Sequence, residues 1–364
     1  MNKTKLGGRQ KSSLNAFLNY GIILAAYLIL QLLIGQGLLT NSLQSLLVPV
    51  CCYIVMAVSL NLVVGISGEL SLGHAGFMSL GAFSGIVASM ALQSAVPSGI
   101  LRLVIALLVG GLVGGLGGFI VGVPVLRLRG DYLAIVTLAF GEIIKNIINI
   151  LYVGMDENGF HIATEEAKLG LAAGKTPIIR GPMGAVGVTK LASFTAGIVL
   201  VLIALVVVQN LVRSRTGRAI MALRDNRIAA ESVGIHVTRF KLTAFVTSAV
   251  LAGAAGALYG LNYSSTVASK FDFNTSILVL VFVVLGGLGS IRGSILAATV
   301  LTVLPELLRN GNIKEYRMLI YAVILILVML LTNNPFLKGL LTRLGRKLKG
   351  LFARKSEPKG GAAQ

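Results

Sequence analysis

Long runs of apolar residues, separated by short polar segments, occupy most of the chain between residues 17 and 334. A helix needs about 20 apolar residues to cross the hydrocarbon core of a bilayer. One run, 275–309, is too long for a single crossing and contains several glycines near its middle, so we divide it into two helices. The pattern therefore predicts ten membrane-spanning helices, at 17–39, 43–64, 75–96, 100–123, 132–152, 191–212, 240–262, 275–291, 294–309 and 316–334.

The composition excludes both a soluble globular protein and a disordered one. Of the 364 residues, 55% are hydrophobic and only 12% are charged, whereas a soluble domain carries about 25% charged residues. Disordered chains are rich in charge and poor in apolar residues, which is the opposite of this composition. The 44 glycines fit close packing of helices in lipid. We therefore expect an all-α, polytopic membrane protein that spans a lipid bilayer.

The formal net charge of +19 indicates orientation. Nucleic-acid binding is not expected, because the basic residues lie in short segments between apolar runs and the chain has no Trp. With the N-terminus in the cytoplasm, ten crossings place 22 of the 32 Lys and Arg residues on the cytoplasmic side, counting Lys241 with its neighbouring loop. This distribution follows the positive-inside rule. It predicts a basic cytoplasmic N-terminus at 1–16, an exterior loop at 153–190, a cytoplasmic loop at 213–239 and a basic cytoplasmic tail at 335–364.

Two of the predicted helices carry small residues at every third or fourth position, which places them on one helix face. They are Gly110, Gly114, Gly118 and Gly122 in one helix, and Ala249, Gly253, Gly256 and Gly260 in the other. In lipid, such faces let two helix backbones approach closely. The pattern fits packing within this chain, and it also fits an interface with a second subunit.

A polar face interrupts the fifth predicted helix. Glu142, Lys145, Asn146 and Asn149 have the spacing i, i+3, i+4 and i+7, which places all four on one side. Because polar groups are costly in lipid, this face should point toward protein or a water-filled path. One interpretation is a Glu–Lys pair with asparagines that bond a neighbouring helix. The other is that the face lines the path of a transported solute.

Two glycine-rich segments, 65–76 and 286–293, interrupt the apolar pattern. Broken helices at membrane depth expose backbone groups that contact a solute or close a gate. Ordinary turns at the inner membrane face are the alternative. We interpret the lone His74 as a hydrogen-bonded structural residue, since no second metal ligand lies near it at helical spacing. The candidate residues of a translocation path are Ser67, Gly68, Ser71, Gly73, His74, Glu142, Lys145, Asn146, Gly287 and Gly289.

No catalytic residue, metal site or cofactor site is predicted. The segment 170–176 is one residue short of the phosphate-binding pattern G-x-x-x-x-G-K-[ST] and follows no strand. Cys51 and Cys52 are adjacent in an apolar run, so their side chains diverge on a helix and form neither a disulfide framework nor a metal site. The chain is therefore expected to lack enzymatic activity and to depend on other chains for energy.

The basic loop 213–239 is the segment that carries most information about that energy source. Its alternation of basic and apolar residues predicts a short amphipathic helix followed by a break at Gly234. Cytoplasmic orientation alone would explain the arginines. Such a helix between two membrane-spanning helices also offers a surface on which a soluble motor can act.

Four segments together resemble the permease subunits of ABC importers for branched-chain amino acids, in the hydrophobic amino-acid uptake family. They are NLVVGISGELSLGHAGFMSLGAF (61–83), LRLRGDYLAIVTLAFGEII (126–144), TGRAIMALRDNRIAAESVGI (216–235) and LGGLGSIRGSILAATVLTVLPELLR (285–309). The segment GPMGAVGV (181–188) is similar to a short segment of the same family. The Asp-Tyr pair within 126–144 resembles the longer of the two permease types that pair in these systems.

This resemblance implies a heteromeric importer in the inner membrane of a prokaryote. Its expected partners are a second permease subunit, two cytoplasmic ATP-binding subunits and an extracytoplasmic solute-binding protein. The resemblance further implies that the ATPase docks on the basic loop, so that Gly234→Val or reversal of Arg224 and Arg227 to Glu would uncouple ATP hydrolysis from uptake. The coupling residues implied are Arg218, Ala219, Arg224, Asp225, Asn226, Arg227, Ala229, Ala230, Glu231 and Gly234.

Three other functions stay open at this point. Permeases for urea or short amides have similar motifs. An ion-coupled secondary transporter would need an intramembrane charged site, for which Glu142 or Glu306 would serve. A membrane scaffold without transport activity is the third, and solute flux through a reconstituted complex would exclude it.

Overall fold

The computed structural model describes residues 20–21, 23–37, 40–128, 130–156, 159–170, 177–308 and 316–333. The predicted cytoplasmic segments 1–16 and 335–364 lie outside these residues. The chain divides into two compact units, 1–303 and 304–364, and every contact discussed below lies within the first.

Long helices overlap all ten of the predicted crossings. They are α1 Ile23–Gly35, α2 Asn41–Asn61, α3 His74–Ala91, α4 Gly99–Val125, α5 Asp131–Ile150, α6 Phe194–Arg213, α9 Val237–Gly260, α10 Phe273–Gly286, α11 Ile291–Leu307 and α12 Arg317–Asn333. Two short helices, α7 Arg215–Asp225 and α8 Arg227–Ser232, lie between α6 and α9.

Seven stretches of the described residues are long and apolar enough to cross a membrane. Helices α1, α11 and α12 are shorter than these in the described part of the chain. The structure thus shows a mostly helical membrane protein, while ten crossings and a cytoplasmic N-terminus stay predictions. The seven are Asn41–Ile66, His74–Ala91, Gly99–Val125, Asp131–Ile150, Phe194–Arg213, Val237–Gly260 and Ala268–Gly286.

Helices α3, α4 and α9 pack so closely that their backbones touch. A Cβ atom at Gly253 would lie 2.3 Å from the carbonyl oxygen of Gly110, and a Cβ atom at Gly81 would lie 2.0 Å from that of Gly253. The small-residue faces of α4 and α9 therefore pack against each other within this chain. Close contact of this kind drives helix association in lipid. Lipid tails are as apolar as the helix surfaces, so the hydrophobic effect does not bring the helices together there.

Helix α2 lies at the centre of the first unit. Its last fourteen residues are almost all buried, including both cysteines, with Cys51 at 2% and Cys52 at 0% exposure. Helices α4, α5 and α6 instead expose large apolar side chains along one side, for example Leu108, Ile135 and Ile203. Such faces suit contact with lipid chains, so α2 is the helix shielded by the others.

A small antiparallel sheet departs from the all-α prediction. Its strands are β1 Tyr152–Asp156, β2 Gly159–Ala163, β3 Ile179–Arg180, β4 Ala185–Val186 and β5 Ser265–Thr266, in the order β2-β1-β3-β4-β5. Tyr152 pairs with Ala163, and Ala185 pairs with Thr266. Three of the strands have only two residues each, which is too short to produce a strand pattern in the sequence. Strand β1 follows α5, β4 precedes α6 and β5 follows α9. Because α7 and α8 connect the other ends of α6 and α9, the sheet lies at the opposite end of these two helices from α7 and α8.

Candidate functional site

The first glycine-rich segment is a break between α2 and α3. Helix α2 continues into a widened π-helical turn at Leu62–Ile66 and then stops. Gly68 has φ +75°, a conformation that L side chains rarely adopt, and it reverses the chain before α3 begins at His74. The hydroxyls of Ser67 and Ser71 are buried here without a hydrogen-bond partner among the described residues. Ser67 and Ser71 are thus enclosed by protein, while Gly68 and Leu70 are exposed. A broken helix on the path of a solute and a turn at the inner membrane face both stay predictions.

The second glycine-rich segment forms a tight turn between α10 and α11. Helix α10 ends at Gly286, five residues before the end that the apolar pattern predicts. A Cβ atom at Gly293 would lie 1.6 Å from the carbonyl oxygen of Gly286, so the two helix ends meet backbone to backbone. Only glycine fits at this contact.

The two breaks touch each other through Asn61, which is fully buried. Gly289 N donates to Asn61 Oδ1 at 2.9 Å, and Asn61 Nδ2 donates to Ser294 Oγ at 3.1 Å. A Cβ atom at Gly65 would lie 2.2 Å from Gly289 N. Sequence reasoning missed Asn61, although it begins the quoted motif 61–83; the signal was an amide side chain at the end of an apolar run.

The cytoplasmic loop of the prediction folds as two short helices rather than one. Ser214 Oγ accepts from Gly217 N at 3.1 Å and caps α7. Asn226 has φ −152°, outside the helical region, and its Oδ1 accepts from Ala229 N at 3.0 Å, which caps α8. Because Asn competes well for the N-cap position, it ends one helix and starts the next.

A small apolar cluster holds α7 and α8 together. Leu223, Ala230 and Val237 are buried in it, with Ile235 and Phe240 packed against them. Ala230 is therefore a packing residue, while most of the other predicted coupling residues face outward. Ala219 and Arg227 are half-buried, and the exposed residues are Arg218, Arg224, Asp225, Asn226, Ala229, Glu231 and Gly234.

Arg224 joins these helices to the first break. Its Nη1 donates to the carbonyl oxygen of Gly65 at 3.0 Å, and its Nε and Nη2 donate to Asp225 Oδ1 at 3.0 and 2.9 Å. A Cβ atom at Gly68 would lie 2.7 Å from Arg224 Cγ, so the arginine stem fills the space that glycine leaves open. The structure thus brings three of the predicted site residues, Arg224, Gly68 and Gly289, to Gly65 or its immediate neighbours.

The first break is also joined to α9, by the ion pair of Lys241 Nζ with Glu69 Oε1. Lys241 lies in the first turns of α9, and Glu69 lies in the first break. Their side chains are only 11% and 12% exposed. Partial burial keeps water from screening the pair, so it is stronger than a surface ion pair. Sequence reasoning did not find it, because 172 residues separate the partners.

His74 has the structural setting that the sequence favours. Its Nε2 lies 2.8 Å from Ser59 Oγ, and Ser248 Oγ donates to the carbonyl oxygen of Ser59 at 2.6 Å. These bonds connect α2, α3 and α9. Among the described residues, no group of three or more His, Cys, Asp or Glu side chains is placed to hold a metal ion.

The polar face of α5 contacts the start of α10. Glu142 Oε2 pairs with Lys145, and Glu142 Oε1 accepts from Phe273 N at 3.1 Å. A carboxylate placed against the first turn of a helix accepts from a free N–H group there and interacts favourably with the helix dipole. Asn146 is exposed. The Glu–Lys pair of the first interpretation is present, and the carboxylate also contacts α10, a contact that the sequence did not indicate.

We expect Glu142→Gln to lower the melting temperature of the protein by a few degrees. The amide oxygen can still accept from Phe273 N, but the ion pair with Lys145 is lost. A hydrogen bond to a charged group contributes about 1.5–3 kcal/mol. Thermal unfolding of the detergent-purified protein measures the effect, with Glu165→Gln as control, since Glu165 pairs with Lys168 on an exposed surface. Equal melting temperatures for both variants would contradict this assignment.

Comparison with known proteins gives one family and several relatives. Residues 42–329 match the family described as "Branched-chain amino acid transport system / permease component". The high-affinity branched-chain amino acid transport system permease protein LivM of Salmonella typhimurium is 39% identical over 241 residues, which cover 64% of this chain and 56% of LivM. The chain thus spans about half the length of this relative.

Two further relatives match shorter parts of the chain. The permease protein LivH of Salmonella typhimurium, named for the same high-affinity system, is 32% identical over 34% of this chain and 40% of LivH. The fructose import permease protein FruG of Bifidobacterium longum is 33% identical over 32% of this chain and 36% of FruG. No solved structure matches the chain. Because the family match extends over most of its length, this protein belongs to the branched-chain amino acid transport system permease components.

Proposed function

We propose that this chain is a membrane-spanning permease subunit of an ATP-driven importer, and that it moves leucine, isoleucine, valine or related hydrophobic amino acids into the cell. The observation that carries the proposal is the contact of Arg224, in the helix pair α7–α8, with Gly65 in the first helix break. It connects an exposed surface outside the bundle to the interior of the membrane-spanning part. Family membership and the 39% identity to LivM support the cargo.

The proposed partners follow from the same relatives and from the fold. Salmonella typhimurium has two different permease proteins, LivM and LivH, in one named system, which supports pairing of this chain with an unlike second permease. Two ATP-binding subunits would bind beneath the permeases on the cytoplasmic side, where ATP hydrolysis would take place, and one of them would dock on α7 and α8 of this chain. A solute-binding protein would deliver the amino acid from outside the inner membrane of a prokaryote.

Docking of the ATPases would act by favouring one of two arrangements of the helix breaks. A partner shifts such an equilibrium only when its contacts differ between the two states. The exposed residues of α7 and α8, among them Arg218 and Glu231, offer contacts to the ATPase. On the side of α7 that faces the bundle, Arg224 donates a hydrogen bond to Gly65 O in the first break. Closure of the ATPase pair would move both short helices together, because the apolar cluster around Leu223 joins them.

A urea or short-amide permease is the second candidate for the cargo. FruG, which is named as a fructose import permease, matches about a third of this chain, so the shared segment does not by itself define a solute. An ion-coupled secondary transporter is less favoured, since Glu142 is engaged with Lys145 and Phe273.

Reconstitution of the complete complex in proteoliposomes tests the proposal. The chain is combined with the second permease, both ATPases and the binding protein encoded beside it, and uptake of radiolabelled leucine, valine and urea is measured with and without ATP. We expect ATP-dependent uptake of leucine and valine but not of urea. Uptake of urea alone would contradict the cargo, and uptake driven by an ion gradient without the ATPases would contradict the whole proposal.

We expect Gly234→Val to reduce leucine uptake several-fold while the complex still assembles. Gly234 has φ +84° and donates to the carbonyl oxygen of Glu231 at 3.0 Å, which ends α8. No atom lies within 4 Å of a Cβ atom there, so the effect comes from backbone strain of about 1–3 kcal/mol rather than from a clash.

The ratio of ATP hydrolysed to leucine transported measures this uncoupling. Gly37→Val is the matched control, because Gly37 also has a positive φ, +68°, with no atom within 4 Å, but lies between α1 and α2. An unchanged ratio in Gly234→Val would show that the end of α8 plays no part in coupling.

A further inference from the structure

We propose that Asn61 is the positioning residue that connects movement of α7 to the second helix break, and that its two hydrogen bonds hold the breaks together as a closed inner gate. This inference rests on the proposed function. It assigns a role to a buried amide that lies outside the proposed docking surface.

The side chain of Asn61 is fully enclosed and uses both ends of its amide. Its oxygen accepts the N–H of Gly289 in the turn between α10 and α11, and its nitrogen donates to Ser294 in α11. An amide buried in an apolar surrounding is costly unless it is hydrogen-bonded. Movement of the α10–α11 turn away from α2 would leave both ends without partners, so the two bonds favour the arrangement in which the breaks touch.

The connection from Asn61 to Arg224 passes through a single residue, Gly65. Its carbonyl oxygen accepts from Arg224 Nη1 at 3.0 Å. On its other side, a Cβ atom would lie 2.0 Å from Asn61 Oδ1 and 2.2 Å from Gly289 N, so no free space separates these groups. A displacement of Gly65 toward these groups would therefore displace Asn61 or Gly289. Coupling between sites travels through packed contacts of this kind when the elements have two discrete arrangements.

Two buried hydroxyls in the first break would gain hydrogen bonds to water if the break opened. Ser67 and Ser71 lie in the first break at 2% and 1% exposure, and neither has a hydrogen-bond partner among the described residues. Unpaired buried hydroxyls raise the free energy of the closed state. Opening the breaks would let water reach both groups. In the proposed gate, the bonds of Asn61 favour closure and hydration of these two hydroxyls favours opening.

The test compares three single substitutions in the complete complex. Asn61→Leu removes both hydrogen bonds at similar volume, Ser294→Ala removes only one, and Ser79→Ala is the matched control. Ser79 is a buried serine of α3 whose hydroxyl has no partner among the described residues. We expect leucine uptake to fall at least tenfold in Asn61→Leu and a few-fold in Ser294→Ala, with ATP hydrolysis by the partner subunits retained. Ser79→Ala should transport normally.

A labelling measurement separates a gate from a residue that only stabilises the fold. Ser67→Cys is introduced after replacement of Cys51 and Cys52 by alanine, and the new thiol is exposed to a membrane-impermeant maleimide with and without ATP. When Asn61 is kept, labelling of the Ser67→Cys thiol should depend on ATP. In Asn61→Leu, the thiol should react equally in both conditions. The same comparison in Ser294→Ala covers the case in which Asn61→Leu does not assemble.

The proposal would be overturned if Asn61→Leu showed normal uptake and nucleotide-dependent labelling. If only Ser294→Ala assembles, the same result in that variant would overturn it. Failure of the proposed function has a different signature. If the unsubstituted complex transports another solute, leucine uptake is absent, yet the labelling of the Ser67→Cys thiol still responds to ATP and still reports on Asn61.

Discussion

Arg224→Glu should reduce ATP-driven leucine uptake at least tenfold, while the complex assembles and its ATPases stay active. In the structure, the guanidinium donates to the carbonyl oxygen of Gly65, and the stem of the side chain covers Gly68. A carboxylate cannot donate to that oxygen and would repel it. The hydrogen bond from the Arg224 side chain to the first break would be lost, so movement of α7 would no longer reach the break through this bond.

Parallel measurements of uptake and ATP hydrolysis in proteoliposomes check this result. Arg215→Glu is the matched control, since Arg215 is an exposed residue of the same helix and the charge change is identical. Normal uptake by Arg224→Glu would show that the contact with Gly65 has no part in coupling. The sequence predicts the same loss for Arg227, but Arg227 pairs with Glu231 within α8. Any effect of its reversal should therefore arise at the surface that receives the ATPase.

The largest effect on stability is expected for Gly253→Val. A Cβ atom at this position would lie 2.3 Å from Gly110 O and 3.0 Å from Gly114 Cα, and both are backbone atoms that cannot rotate away. Overpacking of a core typically costs about 1–3 kcal/mol, and separation of two helix backbones belongs at or above the upper end of that range. We expect little folded protein in the membrane.

Fluorescence-detected size exclusion and thermal unfolding in detergent measure the amount and stability of the folded protein. The control is Gly35→Val, because no atom lies within 4 Å of a Cβ atom at Gly35 in α1. If Gly253→Val accumulates and melts like this control, the close contact between α4 and α9 is not what holds the first unit together.

The sequence was informative wherever a single segment determines its own structure. Apolar runs of sufficient length marked the helices, and the motif around Arg224 together with three other segments indicated the family. Local reasoning was less successful at Asn226. Its capping side chain divides the predicted helix into α7 and α8, and the choice between continuing and restarting a helix depends on the cluster around Leu223 that packs beneath it.

The contacts that make up the candidate site could not be predicted, since they join distant parts of the chain. Asn61 and Gly289 are separated by 228 residues, and Arg224 and Gly65 by 159. Each of these residues is ordinary in its local surroundings. The strands of the small sheet raise the same difficulty, because β5 pairs with β4 only after α9 has brought it back.

By itself, the sequence determined the environment of this protein and its family, because the transfer of apolar side chains into lipid depends on composition and run length alone. It also determined which segments break the helical pattern. Only the tertiary structure decided that the two breaks meet where Gly65 packs against Gly289, and that Arg224 contacts the first of them. Backbone contact and hydrogen bonding act over a few ångströms, so they are defined by which helices pack together and not by the order of residues along the chain.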